Sequence, residues 1–293
     1  MKKIKWLLVF AMAAMAAQAH EMGTKSHEYG QTLEDIKASF GFVPTFFKVY
    51  PKEALPGAWE QFKGIQMNPK TALAGKNKEL IGLAVSAQIP CQYCLYAHKA
   101  FAKLDGATES EIQEAIAVGA LERQWSTVVN GRPISLEEFK AEIDSMVSYS
   151  QNPNKEMKMP DSSQPMVLQE VEKAMGSVPT FLKNYPQSGL EGAWGNLRFL
   201  MSEHSALPLK VKDLIGLAVS AQTPCSYCVY ADTKFAEADG ATKQELDEAV
   251  AISAITRHWS TVINGNRLDY KEFAKEIDRI VAGAKKKMKE EKK

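Results

Sequence analysis

The sequence is short of several things, and each shortage excludes a class of protein. Four cysteines in 293 residues are too few for a disulfide-built scaffold. Neither charge sign is in excess, since 36 Lys and Arg stand against 35 Asp and Glu for a formal charge of +1. No basic field exists to hold a nucleic-acid backbone, so nucleic acid is not an expected partner. Beyond the N-terminus no stretch is long and apolar enough to cross a bilayer, which takes roughly 20 residues. Sustained apolar–polar alternation is also missing, which argues against strands. What remains is 45% hydrophobic and 24% charged, the composition of a globular chain. Its length is about twice that of a typical domain.

The N-terminus reads as a secretion signal. Lys2, Lys3 and Lys5 precede eleven apolar residues, 7–17, and Ala17-Gln18-Ala19 supplies a small-x-small cleavage pattern. Residues 1–19 are therefore expected to be removed, with the mature protein exported, most simply to a periplasm. No cysteine follows the expected cut, so lipid anchoring is not suggested. In that oxidising compartment a working thiol pair needs a dedicated donor of electrons.

The rest of the chain is one unit written twice. LIGLAVSAQ occupies residues 80–88 and again 214–222, and across 80–108 against 214–242, 21 of 29 positions are identical. RQWSTVVNG from Arg123 recurs as RHWSTVING from Arg257. Two tandem domains, 20–149 and 166–284, are expected, each with its own core, joined by a Pro-rich linker at 150–165. A charged tail, 285–293, follows. Helix signals recur in both copies. Thr108 with Glu111 and Thr242 with Glu245 form capping boxes, and Ser135 with Glu138 marks another start. Ile112, Ala115, Ile116, Gly119 and Ala120 lie on one helical stripe, as do Phe139, Ile143 and Val147 on a later one. Pro208 suits a first helical turn, and Asp105-Gly106 and Asp239-Gly240 suit turns. The fold class is all-α, with the Trp-Ser-Thr-Val-Val-Asn-Gly stretch as a candidate short extended piece.

All four cysteines fall in two Cys-x-x-Cys pairs, Cys91 with Cys94 and Cys225 with Cys228. Pro90 and Pro224 precede them and mark helix starts. A thiol in a first helical turn faces unpaired N–H groups and the positive end of the helix dipole, which favours the reactive thiolate. His98 lies one turn beyond Cys94 on the same face, close enough to exchange a proton with its sulfur. Glu79, on the preceding helix, can approach across a helix hairpin.

The spacing of Glu79, Cys91, Cys94 and His98 resembles that of the alkylhydroperoxidase D-like group of the carboxymuconolactone decarboxylase superfamily. The resemblance covers both copies and implies a helical fold and oligomers, with three two-domain chains mimicking a hexamer. It implies that Cys94 attacks a peroxide, that Cys91 resolves the sulfenic acid to a disulfide, and that Glu79 and His98 relay protons. No cofactor is called for. The implied partners are a peroxide or disulfide substrate and an exported dithiol reductant. Decarboxylation is disfavoured, because that branch of the superfamily generally lacks the cysteine pair.

The second copy departs from the pattern, with Asp213 in place of Glu79 and Asp232 in place of His98. An ionised carboxylate beside Cys228 raises its thiol pKa. The first copy is thus expected to carry peroxide chemistry, and the second a slower redox pair or a structural disulfide. Plainer readings stand beside these. The pairs could be oxidised staples, or two Cys and His98 could bind zinc, though no fourth ligand is near in sequence. Glu79 could be a solvated charge at a helix start. Tyr93, Tyr227, Tyr96 and Tyr230 suit packing, and Arg123, Arg257, Trp125 and Trp259 suit helix ends or the contact between copies. Met157, Met159, Met166 and His20 are copper-ligand types without a fixed geometry. A thiol–disulfide oxidoreductase without peroxidase activity and a non-enzymatic helical assembly protein are the competing functions.

Overall fold

A computed structural model describes residues 29–132, 134–152 and 162–291. The expected signal segment, His20, Met157 and Met159 lie outside them. Within the described residues the protein is helical throughout and no strand occurs. The first copy contributes α1 (Tyr29–Phe40), α2 (Thr45–Lys48), α3 (Leu55–Gln61) with a π-helical turn at Phe62–Gln66, α4 (Gly75–Gln88), α5 (Gln92–Leu104), α6 (Glu109–Asn130) and α7 (Leu136–Gln151). The second contributes α8 (Met166–Met175), α9 (Thr180–Lys183), α10 (Gln187–Leu200), α11 (Leu209–Gln222), α12 (Ser226–Ala238), α13 (Lys243–Gly265) and α14 (Tyr270–Glu290).

The helix boundaries follow local chemistry. At the start of α6, Thr108 Oγ1 accepts from Glu111 N and Glu111 Oε2 accepts from Thr108 N at 2.7 Å, and Thr242 and Glu245 repeat this box at α13. Ser135 caps α7. Gly106 and Gly240 take φ of +87° and +83° in the turns after α5 and α12, where a side chain would be strained. Pro208 stands one residue outside α11, as its cap, rather than in its first turn. The Trp-Ser-Thr-Val-Val-Asn-Gly stretch is not extended. It continues α6, because Trp125, Ser126 and Val129 point inward at helical spacing and their burial outweighs the weak helix preference of β-branched residues.

The helices α4, α6, α11 and α13 pack around one centre built from Leu80, Ile81, Ile112, Leu214, Ile215 and Ile252 among others. Gly119 allows α6 close to α4, where an added Cβ would come within 3.2 Å of Ala84 Cβ. Outside this centre the copies exchange their last helices. α14 and the end of α13 pack on α5, while α7 and the end of α6 pack on α12. The expectation that each copy holds its own core is therefore corrected: Ile36, Trp59 and Cys94 share a cluster with Trp259, Phe273 and Ile277, and Cys228 shares one with Phe139 and Ile143. Carboxylates fasten the exchange, Glu248 and Glu114 buried and Glu276 and Glu142 half-buried. Glu248 of α13 accepts from Ala72 N and Leu73 N, both at 2.8 Å, and Glu114 of α6 accepts from Ala206 N at 2.6 Å. Glu276 of α14 holds Thr45 N at 2.9 Å, and Glu142 of α7 holds Thr180 N at 3.1 Å. Among the described residues no helix is long and apolar enough to cross a membrane.

Candidate thiol sites built from both copies

Cys91 is the cap residue of α5, with extended backbone, and its Sγ accepts from Cys94 N at 3.3 Å. The two sulfurs are joined in a disulfide. Cys91 is wholly buried and Cys94 is 6% exposed. The placement of both sulfurs at a helix N-terminus agrees with the sequence reading, with Cys91 at the cap rather than inside the first turn.

His98 follows one turn later and lies against Gly82 of α4, where any side chain would meet the imidazole ring. Its Nδ1 is 2.8 Å from Glu79 Oε2, and Glu79 Oε1 accepts from Gln66 Nε2 at 2.7 Å. Glu79 is 7% exposed, so it is no solvated helix-start charge. A His98 that donates from Nδ1 to this carboxylate leaves Nε2 free to accept, and Thr256 Oγ1 of α13 lies 3.3 Å from it. Cys94, His98, Glu79 and Gln66 line a cavity of about 80 Å³ whose other walls include Phe46, Phe62, Phe101, Trp259, Ile263 and Phe273. No Lys or Arg lines it. Its second-copy wall was not foreseen. Trp259, read as packing, is part of that wall. Trp125, at the same place in its own copy, packs on Phe181 and Tyr185 across the copies as expected.

The tyrosines near the cysteines have structural partners. Tyr93 Oη donates to Leu268 O at 2.6 Å and Tyr227 Oη to Ile134 O at 2.7 Å. Tyr96 and Tyr230 donate to Asp278 and Asp144, each at 2.7 Å. Arg123 and Arg257 are exposed. Met166 is exposed, and among the described residues no cluster of His, Cys, Asp and Glu is arranged to hold a metal.

The second site repeats the frame with different charges. Cys225 caps α12, its Sγ accepts from Cys228 N at 3.3 Å, and these two cysteines are also disulfide-bonded. Asp232 lies over Gly216 as His98 lies over Gly82. Ser220 Oγ is 2.6 Å from Asp232 Oδ2 and 3.0 Å from Glu122 Oε1, the latter supplied by α6 of the first copy. One hydroxyl proton cannot serve two carboxylates, so at least one of the acids retains its own proton. Burial pushes Glu122 up to about 7. Burial, with Glu122 next to it, holds Asp232 well above the usual carboxylate range. Asp213 is raised by burial and by Asp239, and its Oδ2 has no hydrogen-bond partner. The ionised Asp232 expected from sequence is thus corrected to a member of a proton-sharing acid cluster. Glu122 was missed because it lies in the other copy, at the position that Thr256 occupies in its own.

Comparison with known proteins follows the same duplication. The carboxymuconolactone decarboxylase family matches residues 53–135 and 189–268, together more than half of the chain. A solved structure from Burkholderia xenovorans LB400, named as a gamma-carboxymuconolactone decarboxylase subunit, superposes with a TM-score of 0.53 at 16% identity. The match covers 89% of this chain and 99% of that one, and at this identity it speaks for the fold alone. No curated protein matches the sequence.

Proposed function

Because the chain belongs to the carboxymuconolactone decarboxylase family, with two family units in tandem, we propose that its first site is a thiol peroxidase acting on hydroperoxides with an apolar substituent. The observation that supports this reading is that Cys94, His98 and Glu79 open onto one cavity whose remaining walls are mostly apolar. In the reduced protein the Cys94 thiolate attacks one peroxide oxygen and the O–O bond breaks. The departing alkoxide takes a proton from His98, which Glu79 orients and recharges, directly or through water. Cys94 is left as a sulfenic acid. Cys91 then attacks its sulfur, forming the disulfide and releasing water. Both electrons come back from a dithiol, which is itself oxidised to a disulfide.

Decarboxylation of a carboxylate-rich substrate is less well supported, since no cation lines the cavity to hold such a substrate. In the same reading the second site is a slower redox pair or a structural staple, the protein is exported, its reductant is an exported dithiol, and three two-domain chains assemble as a trimer. The test is stopped-flow oxidation of the reduced protein by hydrogen peroxide and by cumene hydroperoxide. The expected result is faster consumption of the aromatic hydroperoxide and loss of both reactions in Cys94→Ser. Consumption of neither peroxide by the reduced wild-type protein overturns the reading.

A further inference from the structure

The side chains at the ends of α6 and α13 reach the sulfurs of the opposite copy. Asn264 Nδ2 donates to Cys91 Sγ at 3.4 Å, and Asn130 Nδ2 donates to Cys225 Sγ at 3.2 Å. Each amide nitrogen is also fixed by a backbone carbonyl one turn earlier, Ser260 O at 2.8 Å and Ser126 O at 2.7 Å. A carbonyl only accepts, so this contact settles which end of each amide is the nitrogen. One N–H is held by the helix and the other faces sulfur, with Ser260 Oγ also 3.4 Å from Asn264 Nδ2. The same arrangement in both copies, related by the internal repeat, makes a chance contact a poor explanation.

The sulfur that receives the amide belongs to the more deeply buried cysteine of each pair. Cys94 lines the cavity and Cys91 does not, so an incoming donor thiolate meets Cys94 Sγ first. A bond then forms between the donor sulfur and Cys94 Sγ, the Cys91–Cys94 bond breaks, and its electron pair stays on Cys91 Sγ. The donor's second thiolate displaces Cys94 from the mixed disulfide. The donor leaves as a disulfide, and the two cysteines take up protons from water. The charge that develops in the first step is on Cys91, where two N–H groups already point: Cys94 N and Asn264 Nδ2. We propose that Asn264 stabilises the departing Cys91 thiolate, and that Asn130 does the same for Cys225, so each disulfide is opened with the help of a residue from the other copy. A better leaving thiolate leaves faster and makes the disulfide a stronger oxidant.

This rests on the redox activity in the proposed function but not on peroxide as substrate, so the test contains none. The oxidised full-length protein is reduced with dithiothreitol, quenched by alkylation, and each disulfide is followed on its own peptide by mass spectrometry. The hydrogen bond to a thiolate lost in Asn264→Ala corresponds to a slowing of about tenfold or more at Cys91–Cys94, with Cys225–Cys228 unchanged. Asn130→Ala is expected to give the mirror result. Asn264→Asp, nearly the same shape with a negative charge, is expected to slow the first disulfide further. In a glutathione redox buffer, Asn264→Ala shifts Cys91–Cys94 toward the disulfide by a similar factor. If the asparagines only held the helix ends, their loss would loosen the site and speed reduction, or change both disulfides together; either outcome overturns the inference, as does an unchanged rate. Failure of the wild-type disulfides to react with dithiothreitol at all overturns the redox reading instead.

Discussion

Thr256 Oγ1 lies 3.3 Å from His98 Nε2 across 158 positions of sequence, and Glu122, its counterpart in the first copy, reaches Ser220 and through it Asp232. One exchange of helices thus delivers a neutral hydroxyl to one site and a third carboxylate to the other. The two sites share a backbone frame and differ in the groups set around it.

The acid cluster predicts an unusual slope of stability with pH. Glu122 titrates at about 7 in the folded chain, against about 4.5 when unfolded. Between those values the native state holds a proton that the unfolded state has released, so stability falls as pH rises through this window. The upward shifts of Asp232 and Asp213 act in the same direction. Glu122→Gln is expected to remove part of the slope, raising the melting temperature at pH 8 by roughly a few degrees with little effect near pH 4.5. Melting curves of both proteins across this range check it, and parallel slopes would count against the shared proton.

His98→Asn keeps a polar side chain against Gly82 but removes a group able to deliver a proton. Peroxide turnover is expected to fall by about 100-fold or more, the usual scale of general acid–base catalysis. Rapid-mixing kinetics at saturating reductant measure the change, and full retention of turnover removes His98 from the mechanism.

Gly82→Ala tests placement rather than chemistry. The new methyl group must displace the His98 ring and break its 2.8 Å contact with Glu79. Lower turnover is expected, with a stability loss of about 1–3 kcal/mol from overpacking. Gly216→Ala, which meets the Asp232 carboxylate, should leave first-site turnover as it is.

Glu248→Ala should weaken the bond between copies. It strands Ala72 N and Leu73 N, the latter in a buried residue, after loss of two hydrogen bonds to a charged acceptor. The expected cost is about 2–3 kcal/mol, read by urea denaturation. A cost below about 0.5 kcal/mol would show that water replaces the carboxylate there.

Much of the first site was legible in the chain because its members lie on one helix and the helix before it. Cys91, Cys94 and His98 follow from helical spacing, and Glu79 from a hairpin of two consecutive helices. Thr256, Asn264 and Glu122 were not found, since each reaches its site from the other copy, and Gln66 was not found because it comes from the irregular turn before α4. A signal for the asparagines did exist: the Trp-Ser-Thr stretch ends in Asn-Gly in both copies. The stretch was a candidate extended piece, and burial of Trp125 and Val129 made it helix instead.

By itself the sequence determined the duplication, the helices, their caps and the two cysteine pairs, because these depend on neighbours within a few turns. Which copy's last helices would cover which cysteine pair was decided only in three dimensions. The two copies repeat nearly the same apolar pattern at the same intervals, so the sequence does not say whether α14 covers α5 or α12. The arrangement found exists only in the tertiary structure, held by contacts far apart in sequence such as Glu248 on Ala72 and Glu276 on Thr45, and it places Thr256 at the first site and Glu122 at the second.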